Sequence, residues 1–326
     1  MINRRIFTRL GLAGLSSLGL SGAAFAQAYP NKPIKLIVGF PAGQASDSVA
    51  RMIALKMSEE LKQNVWVDNK PGAAGIISHD AARLSPPDGY TLLVGSTTTL
   101  ALNPTLYTKL SYNPARDFDA VALMMVGPMY LFAAANSPVN NVKEMIAYVK
   151  ARPGKVAYGS SGNGLTNHVT MEMLKSATGM DMLHVPYKGS PPMIVDLIGG
   201  RVDFAFEPSA SILPMVKGGR VKLLGVTSLK REAVTPDIPT ITEQGVAGFE
   251  ANVWSSIVAP KGTPPAFIQV LNAAVIKALQ SEAVQAEMKN IGAAPLLASP
   301  AEADAFMRRE STRWGKVVKD IGVQLD

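Results

Sequence analysis

The stretch PIKLIVGFPAGQASDSVARMIALKMSEEL, residues 33–61, contains a complete strand–turn–helix unit and decides the fold class. Residues 33–40 form a short apolar run bounded by Pro and Gly, which predicts a buried strand. Residues 41–45 break this run, and Ser46 is the predicted N-cap of the helix that follows. Apolar residues then recur every four positions, on one helical face: Val49, Ile53, Met57 and Leu61.

The same unit recurs along the chain and predicts an α/β fold in two blocks. The first block continues with strands at 64–67 and 90–94 and a helix at 76–84. A second block begins near residue 128, with strands predicted at 130–134, 156–159, 183–185, 202–206 and 221–226. Its helices are predicted at 142–151, 166–177, 191–198 and 209–217. A strand at 253–259 and helices at 264–280, 282–290 and 300–321 end the chain. Connections of this length imply parallel strands with right-handed crossovers.

Composition excludes several classes of protein. Of the 326 residues, 47% are hydrophobic and 17% charged, which indicates a folded chain with a sizeable core. The net charge is +7, and the basic residues do not gather into a stripe, so no nucleic-acid partner is expected. The absence of cysteine excludes disulfides, thiolate metal sites and a thiol nucleophile. No cofactor or metal is expected, because three histidines lack metal-binding spacing: His79, His168 and His184.

Residues 1–26 have the pattern of a secretory signal peptide. A basic start precedes an uncharged run at 10–25 that ends in Ala24-Phe25-Ala26, an A-x-A cleavage site. The run is shorter than the roughly 20 apolar residues of a membrane span. We expect export, with cleavage after Ala26, and a mature protein outside the cytoplasm. The pair Arg4-Arg5 leaves both the Sec and the twin-arginine route open.

Two turns rich in small residues are the candidate ligand-binding elements, one in each block. Residues 42–46 and 160–164 both lie between a predicted strand and a predicted helix. Backbone N–H groups at a helix N-terminus bind anions, and ligands of open parallel sheets bind at the carboxyl ends of strands. If the two blocks face each other, both turns meet at one cleft. Neither turn has the phosphate-loop or the dinucleotide-binding pattern.

An exported hydrolase is the alternative from the residues alone. Its nucleophile would be Ser160 or Ser161, with His168 or His184 as the base. The best local sign is missing, because Asn163 stands where a nucleophile elbow needs its last glycine.

Two acidic residues have a structural and a functional interpretation each. Asp47 either complements the helix dipole or contacts a ligand. Glu207 either belongs to a helix start or forms a polar contact on the cleft wall.

Seven ordered motifs carry a resemblance that covers essentially the whole mature chain. They are FPAGxxxD at 40–47, NKPGAxG at 69–75, PDGYTL at 87–92, SSGNG at 160–164 with His168, HVPYKG at 184–189, DIPT at 237–240 and APKGTP at 259–264. This set resembles the Bug family, the TctC-type extracytoplasmic solute receptors of tripartite tricarboxylate transporters. The resemblance implies a two-lobed periplasmic binding protein, type II-like, that closes like a Venus flytrap on a small carboxylate.

The resemblance also implies a domain organisation and partners. Each lobe would be a mainly parallel sheet flanked by helices, with residues 27–127 plus 252–326 in lobe 1 and 128–251 in lobe 2. The protein would be a monomer without enzymatic activity that presents its ligand to membrane permease subunits. A receptor that signals to another partner is the remaining alternative.

Family members hold a ligand carboxylate through backbone amides, hydroxyls and bridging waters of the two turns, and few use an arginine clamp. These two turns, together with Asp47, Glu207 and Ser96 at the end of the third predicted strand, give the expected ligand-binding residues: Phe40, Ala42, Gly43, Gln44, Ser46, Asp47, Ser96, Ser160, Ser161, Gly162, Asn163, Gly164, Thr166 and Glu207. Three positions depart from the family pattern and bear on ligand specificity: Gln44, Leu165 and the pair Glu207-Pro208. Which carboxylate is bound stays open.

Overall fold

The computed structural model describes residues 29–325, and the predicted signal peptide with its cleavage site lies outside them. Strand β1 (Ile34–Val38) runs into helix α1 (Ala45–Leu61), as the sequence predicts. Three of the four residues that recur along α1 are fully or almost fully buried against the sheet: Val49, Ile53 and Met57. The prediction of Ser46 as the N-cap is wrong. Gln44 holds that position in an extended conformation, and its side chain does not cap the helix.

The remaining elements of the first block and the long strand after it are these: β2 (Val65–Asn69), a 3₁₀ turn (Ala73–Gly75), α2 (Ile76–Arg83), β3 (Thr91–Ser96), a π-helical turn (Thr97–Leu102), α3 (Asn103–Leu106), α4 (Pro114–Asp117) and β4 (Phe118–Ala134). The second block comprises α5 (Val142–Lys150), β5 (Ala157–Ser160), α6 (Thr166–Thr178), β6 (Leu183–Pro186), α7 (Ser190–Ile198), β7 (Phe204–Pro208), α8 (Ser209–Lys217) and β8 (Val221–Val226). The chain ends with β9 (Asn252–Pro260), α9 (Pro265–Gln280), α10 (Glu282–Asn290), β10 (Ala294–Pro295) and α11 (Pro300–Ile321).

Strand β4 joins the two lobes. Its residues 118–128 pair with β9, and its residues 129–133 pair with β7. The strand order is therefore β2-β1-β3-β9-β4 on one side and β4-β7-β5-β6 on the other, with β10 and β8 also paired to β4. The sequence predicted only the last five residues of this strand, 130–134.

The two-lobed α/β prediction is confirmed, with mixed rather than mainly parallel sheets. Strands β1, β2 and β3 are parallel to one another, as are β5, β6 and β7. The strands β4 and β9 are antiparallel to their neighbours. In each lobe the parallel strands therefore direct their carboxyl ends, and the turns that follow, toward the same region. Within residues 29–325, no helix is both long and apolar enough to cross a bilayer.

His79 is a buried titratable residue of the core, on helix α2. Its side chain has no exposed surface, and its ring stacks on Tyr112 with centroids 4.6 Å apart. Its Nδ1 lies 2.9 Å from the carbonyl oxygen of Gly75, which accepts a hydrogen bond when Nδ1 carries the proton. Burial lowers the pKa of His79 to about 4, because an imidazolium would lose its hydration there.

Acidification from pH 7 to pH 4 is expected to destabilise the fold through His79. In the unfolded chain the pKa of His79 is ~6.5, so above that pH His79 is neutral in both the folded and the unfolded state. Its contribution to stability is then complete. Below that pH, His79 binds a proton in the unfolded chain, whereas in the folded chain it stays neutral until about pH 4. The loss is on the order of 3 kcal/mol. Urea unfolding at several pH values should show a shallower loss for His79→Gln, and an equal loss in both chains would contradict the assignment.

Candidate functional site

A cavity of about 120 Å³ lies between the two lobes, where the carboxyl ends of β1 and β3 face those of β5 and β7. From the first lobe it is lined by Phe40, Gln44, Ser46, Ser96, Thr97, Thr98, Met125, Val253, Trp254 and Ser255. From the second lobe it is lined by Met129, Ser161, Leu165, Thr166, Asn167, Ser190, Glu207, Pro208 and Ser211. Both small-residue turns thus contribute to one cavity, which has hydroxyl groups on each side and an apolar belt between them.

Helices α1 and α6 start at this cavity without side-chain caps. Helix α1 follows Gln44 and helix α6 follows Leu165, and neither residue's side chain accepts a hydrogen bond from the helix. Side-chain capping is present at Ser96, which also lines the cavity, and at Asn141 and Ser299. The first N–H groups of a helix have no intrahelical acceptor, and the helix dipole adds partial positive charge there. The cavity therefore offers hydrogen-bond donors for an anion from two opposite sides.

The lobes touch each other directly across the cavity. The hydroxyl oxygens of Thr98 and Thr166 lie 2.9 Å apart and are buried. The side chain of Gln44 approaches Gly189 so closely that a Cβ atom at position 189 would lie 2.9 Å from Nε2. Gly189 also has a φ of +107°, which disfavours other residues. The arrangement is that of two lobes in contact beside the site.

Glu207 is the ionisable residue of the cavity wall. It ends strand β7 with 1% of its surface exposed, and Oε1 accepts hydrogen bonds from Ser161 Oγ (3.1 Å) and Asn167 Nδ2 (3.0 Å). Burial raises the pKa of Glu207 to about 7, and hydrogen bonds from four neutral side chains oppose this rise: Ser190, Ser161, Asn167 and Ser211. None of the described lining residues is Lys, Arg or His.

Half of the predicted ligand-binding residues line the cavity. These are Phe40, Gln44, Ser46, Ser96, Ser161, Thr166 and Glu207. Leu165, which departs from the family pattern, lines it too. Seven others lie outside the lining: Ala42, Gly43, Asp47, Ser160, Gly162, Asn163 and Gly164. Ala42, Gly43 and Asn163 face solvent.

Asp47 fastens the first turn from behind. Its carboxylate accepts hydrogen bonds from Gly43 N (3.0 Å), Arg51 Nε (2.9 Å) and Asn69 Nδ2 (2.8 Å), and only 2% of the residue is exposed. Burial alone would raise the pKa of this carboxyl, but these donors and the Arg51 charge hold it below its usual value. The contacts tie the turn to strand β2 and leave Asp47 pointing away from the cavity.

Ser160 and two histidines support the second turn in a similar way. Ser160 Oγ lies 2.6 Å from His184 Nε2, and the His184 ring stacks on His168 at 4.1 Å. His168 Nδ1 accepts a hydrogen bond from Gly164 N at 3.1 Å. The Ser160–His184 pair has hydrogen-bonding geometry, but Ser160 has no exposed surface and is absent from the lining. Burial lowers the pKa of His184 to about 4. In the described part of the chain, no three potential ligands cluster to hold a metal ion.

Sequence reasoning missed several cavity residues. The principal ones are Thr97, Thr98, Asn167, Ser190, Ser211 and Trp254. The run Ser96-Thr97-Thr98-Thr99 directly after a strand was a usable signal, because polar residues at the carboxyl end of a parallel strand often face a ligand. For Trp254 no local signal existed, since alternation along a strand does not say which face meets the cavity.

The chain is similar to known proteins over most of its length. The family model described as "Tripartite tricarboxylate transporter family receptor" matches residues 49–323. Protein BugT of Bordetella pertussis is 35% identical over 312 residues, which is 95% of this chain and 96% of that protein.

Two solved structures are similar in both sequence and fold. An R. palustris protein solved with adipate is 35% identical, with a TM-score of 0.87 over 90% of this chain and 98% of that one. The periplasmic binding protein BugD is also 35% identical, with a TM-score of 0.86 over 91% and 99% of the two chains.

Proposed function

Because this chain belongs to the family of tripartite tricarboxylate transporter receptors, we propose that it captures a small organic carboxylate between its lobes and presents it to the permease of such a transporter. The family resemblance seen in the sequence is confirmed. The observation that carries the proposal is the cavity between two uncapped helix N-termini from opposite lobes. A similar protein was solved with adipate, a dicarboxylate, which supports this ligand class.

The chemistry of the cavity suits a carboxylate. Hydrogen bonds to a charged acceptor contribute about 1.5–3 kcal/mol each. Thr98 and Thr166 bring hydroxyl groups from opposite lobes to within one hydrogen bond of each other. No arginine or lysine of the described chain lines the site, so amides and hydroxyls would stabilise the ligand charge through hydrogen bonds.

Ligand capture would favour the closed arrangement of the lobes. A ligand that contacts both lobes only when they are closed shifts the population toward that state by its differential affinity. The lobes would be residues 27–127 plus 252–326 and residues 128–251, since β4 exchanges its pairing partner at residues 128–129. The permease would recognise the closed form of a monomeric receptor.

The receptor would act in the periplasm after cleavage behind Ala26 and would perform no reaction on its ligand. The hydrolase alternative lacks support, because Ser160 is buried behind the turn and Ser161 bonds to Ser190 and Glu207 rather than to a histidine.

Thermal unfolding with a panel of small acids tests the proposal. A true ligand at about 100 times its Kd should stabilise the fold by roughly 2.7 kcal/mol, which raises Tm by about 4 °C for a chain of this size. The chain should first be refolded from denaturant to remove any ligand carried through purification. The neutral methyl esters of the same acids serve as controls and should leave Tm unchanged. A flat response to a broad panel of mono-, di- and tricarboxylates would contradict the proposal.

A further inference from the structure

The second lobe contributes an acidic side chain to a cavity whose proposed ligand is itself an acid. Glu207 lies at the carboxyl end of β7, almost wholly buried, and its partners are neutral donors from three other segments. Ser161 and Asn167 both donate to Oε1, and Asn167 also donates to Ser161. These donors orient the carboxyl group. Because they offer it hydrogen bonds to accept, they favour its ionised form, which only accepts.

No cation in the described chain balances Glu207 from within the cavity. The elements packed against it are β4, β5, α6, α7 and α8. Their ionisable residues lie outside the cavity lining: Asp119, Tyr130, Tyr158, His168, Glu172, Lys175, Asp196 and Lys217. A second ionised carboxylate placed beside Glu207 would therefore meet a like charge at low dielectric. A ligand group that donates hydrogen bonds, or carries positive charge, would supply the missing partner.

We propose that Glu207 is a specificity-determining residue, which selects carboxylates bearing an amine at the end away from the anchored carboxylate and rejects a second ionised carboxylate. This inference rests on the proposed function and names its substrate class. An ammonium group facing the buried Glu207 forms a charge-assisted hydrogen bond with it. The ligand is then a zwitterion whose ammonium group faces Glu207.

Ligands matched in carbon number test this selection. Calorimetry at pH 8 would compare 4-aminobutyrate, succinate and butyrate, and then 6-aminohexanoate, adipate and hexanoate. We expect the amino acid of the better-fitting length to bind the wild-type chain at least tenfold more tightly than the diacid. Glu207→Gln, which keeps the shape and removes the charge, should weaken the amino acid and strengthen the diacid by at least tenfold each. Glu59→Gln, on the outer side of helix α1, is the matched control and should behave as wild type.

The pH dependence gives a second readout of the same charge. Below the pKa of about 7, Glu207 takes up a proton and the repulsion of a diacid disappears. Diacid affinity should therefore rise between pH 8 and pH 6 in the wild type and stay constant in Glu207→Gln. An equal affinity of wild type and Glu207→Gln for the diacid, or a wild-type preference for the diacid at pH 8, would overturn the specificity and leave the receptor function standing. If none of the six compounds nor any acid of the wider panel binds either chain, both proposals fall together.

Discussion

Thr166→Pro is expected to weaken carboxylate binding by roughly 10- to 100-fold while the fold stays intact. Thr166 is the first residue of helix α6, lines the cavity, and follows Leu165, whose extended φ and ψ are −70° and 158°. Proline is well tolerated at the first helical position, and the residue before it prefers this extended conformation. The substitution removes one backbone N–H that no residue of the helix accepts. Losing one charge-assisted hydrogen bond of about 1.5–3 kcal/mol gives the expected factor.

Thr166→Val separates the amide from the hydroxyl. Valine has nearly the same shape, keeps the N–H group, and loses only the hydroxyl that contacts Thr98 at 2.9 Å. Isothermal titration with the best acid of the panel would rank wild type first, valine second and proline last. Circular dichroism and Tm check that all three chains fold alike. Equal affinities of the proline and valine variants would show that the ligand does not use this amide.

Local pattern was sufficient to predict both turns and the helices after them. Within residues 33–61, the apolar residues of the helix recur every four positions. That spacing determines which face of α1 is buried. The positions of Ser161 and Thr166 follow, because a turn after a parallel strand lies at the ligand-binding edge of the sheet. Two such turns on two blocks then indicated a shared cleft.

Side-chain direction within the turns could not be predicted. Asp47 and Ser160 have residue types that suit ligand binding, yet both point backwards and fasten the turns. Their partners are Asn69 on strand β2 and His184 on strand β6, and both strands are distant in sequence from the turns. Only tertiary packing decides between the two directions, since either is compatible with the local backbone. The same holds for Glu207, whose sequence context shows neither its burial nor the lack of a nearby cation.

The full length of strand β4 also could not be predicted from the local sequence. Residues 120–126 are apolar with no alternation, so periodicity did not distinguish a buried strand from a buried helix segment. What makes them a strand is the presence of β9 alongside, more than one hundred residues later. The cavity lies where these two strands cross from one lobe to the other, so its floor, including Trp254, depends on the pairing that the sequence did not reveal.

Trp254→Ala is expected to destabilise the fold by about 3–5 kcal/mol, the usual range for removing a buried tryptophan. Trp254 is 2% exposed, packs edge-on against Phe306 with ring centroids 5.4 Å apart, and forms part of the largest core cluster as well as the cavity wall. Its backbone N–H donates to Thr97 Oγ1 at 2.8 Å, a bond that any substitution other than proline keeps. The cost therefore comes from lost packing on both sides of the side chain.

Trp254→Phe distinguishes packing from hydrogen bonding at this position. The indole Nε1 is buried without a hydrogen-bond partner in the part of the chain that the structure describes, so phenylalanine removes no such bond. We expect a cost of about 1–2 kcal/mol, because the smaller ring removes volume from the core but no hydrogen bond. Urea unfolding with a shared m-value measures both variants. A phenylalanine variant as unstable as the alanine variant would show that the indole N–H is bonded after all, and that Trp254 supports the cavity floor through polarity rather than volume.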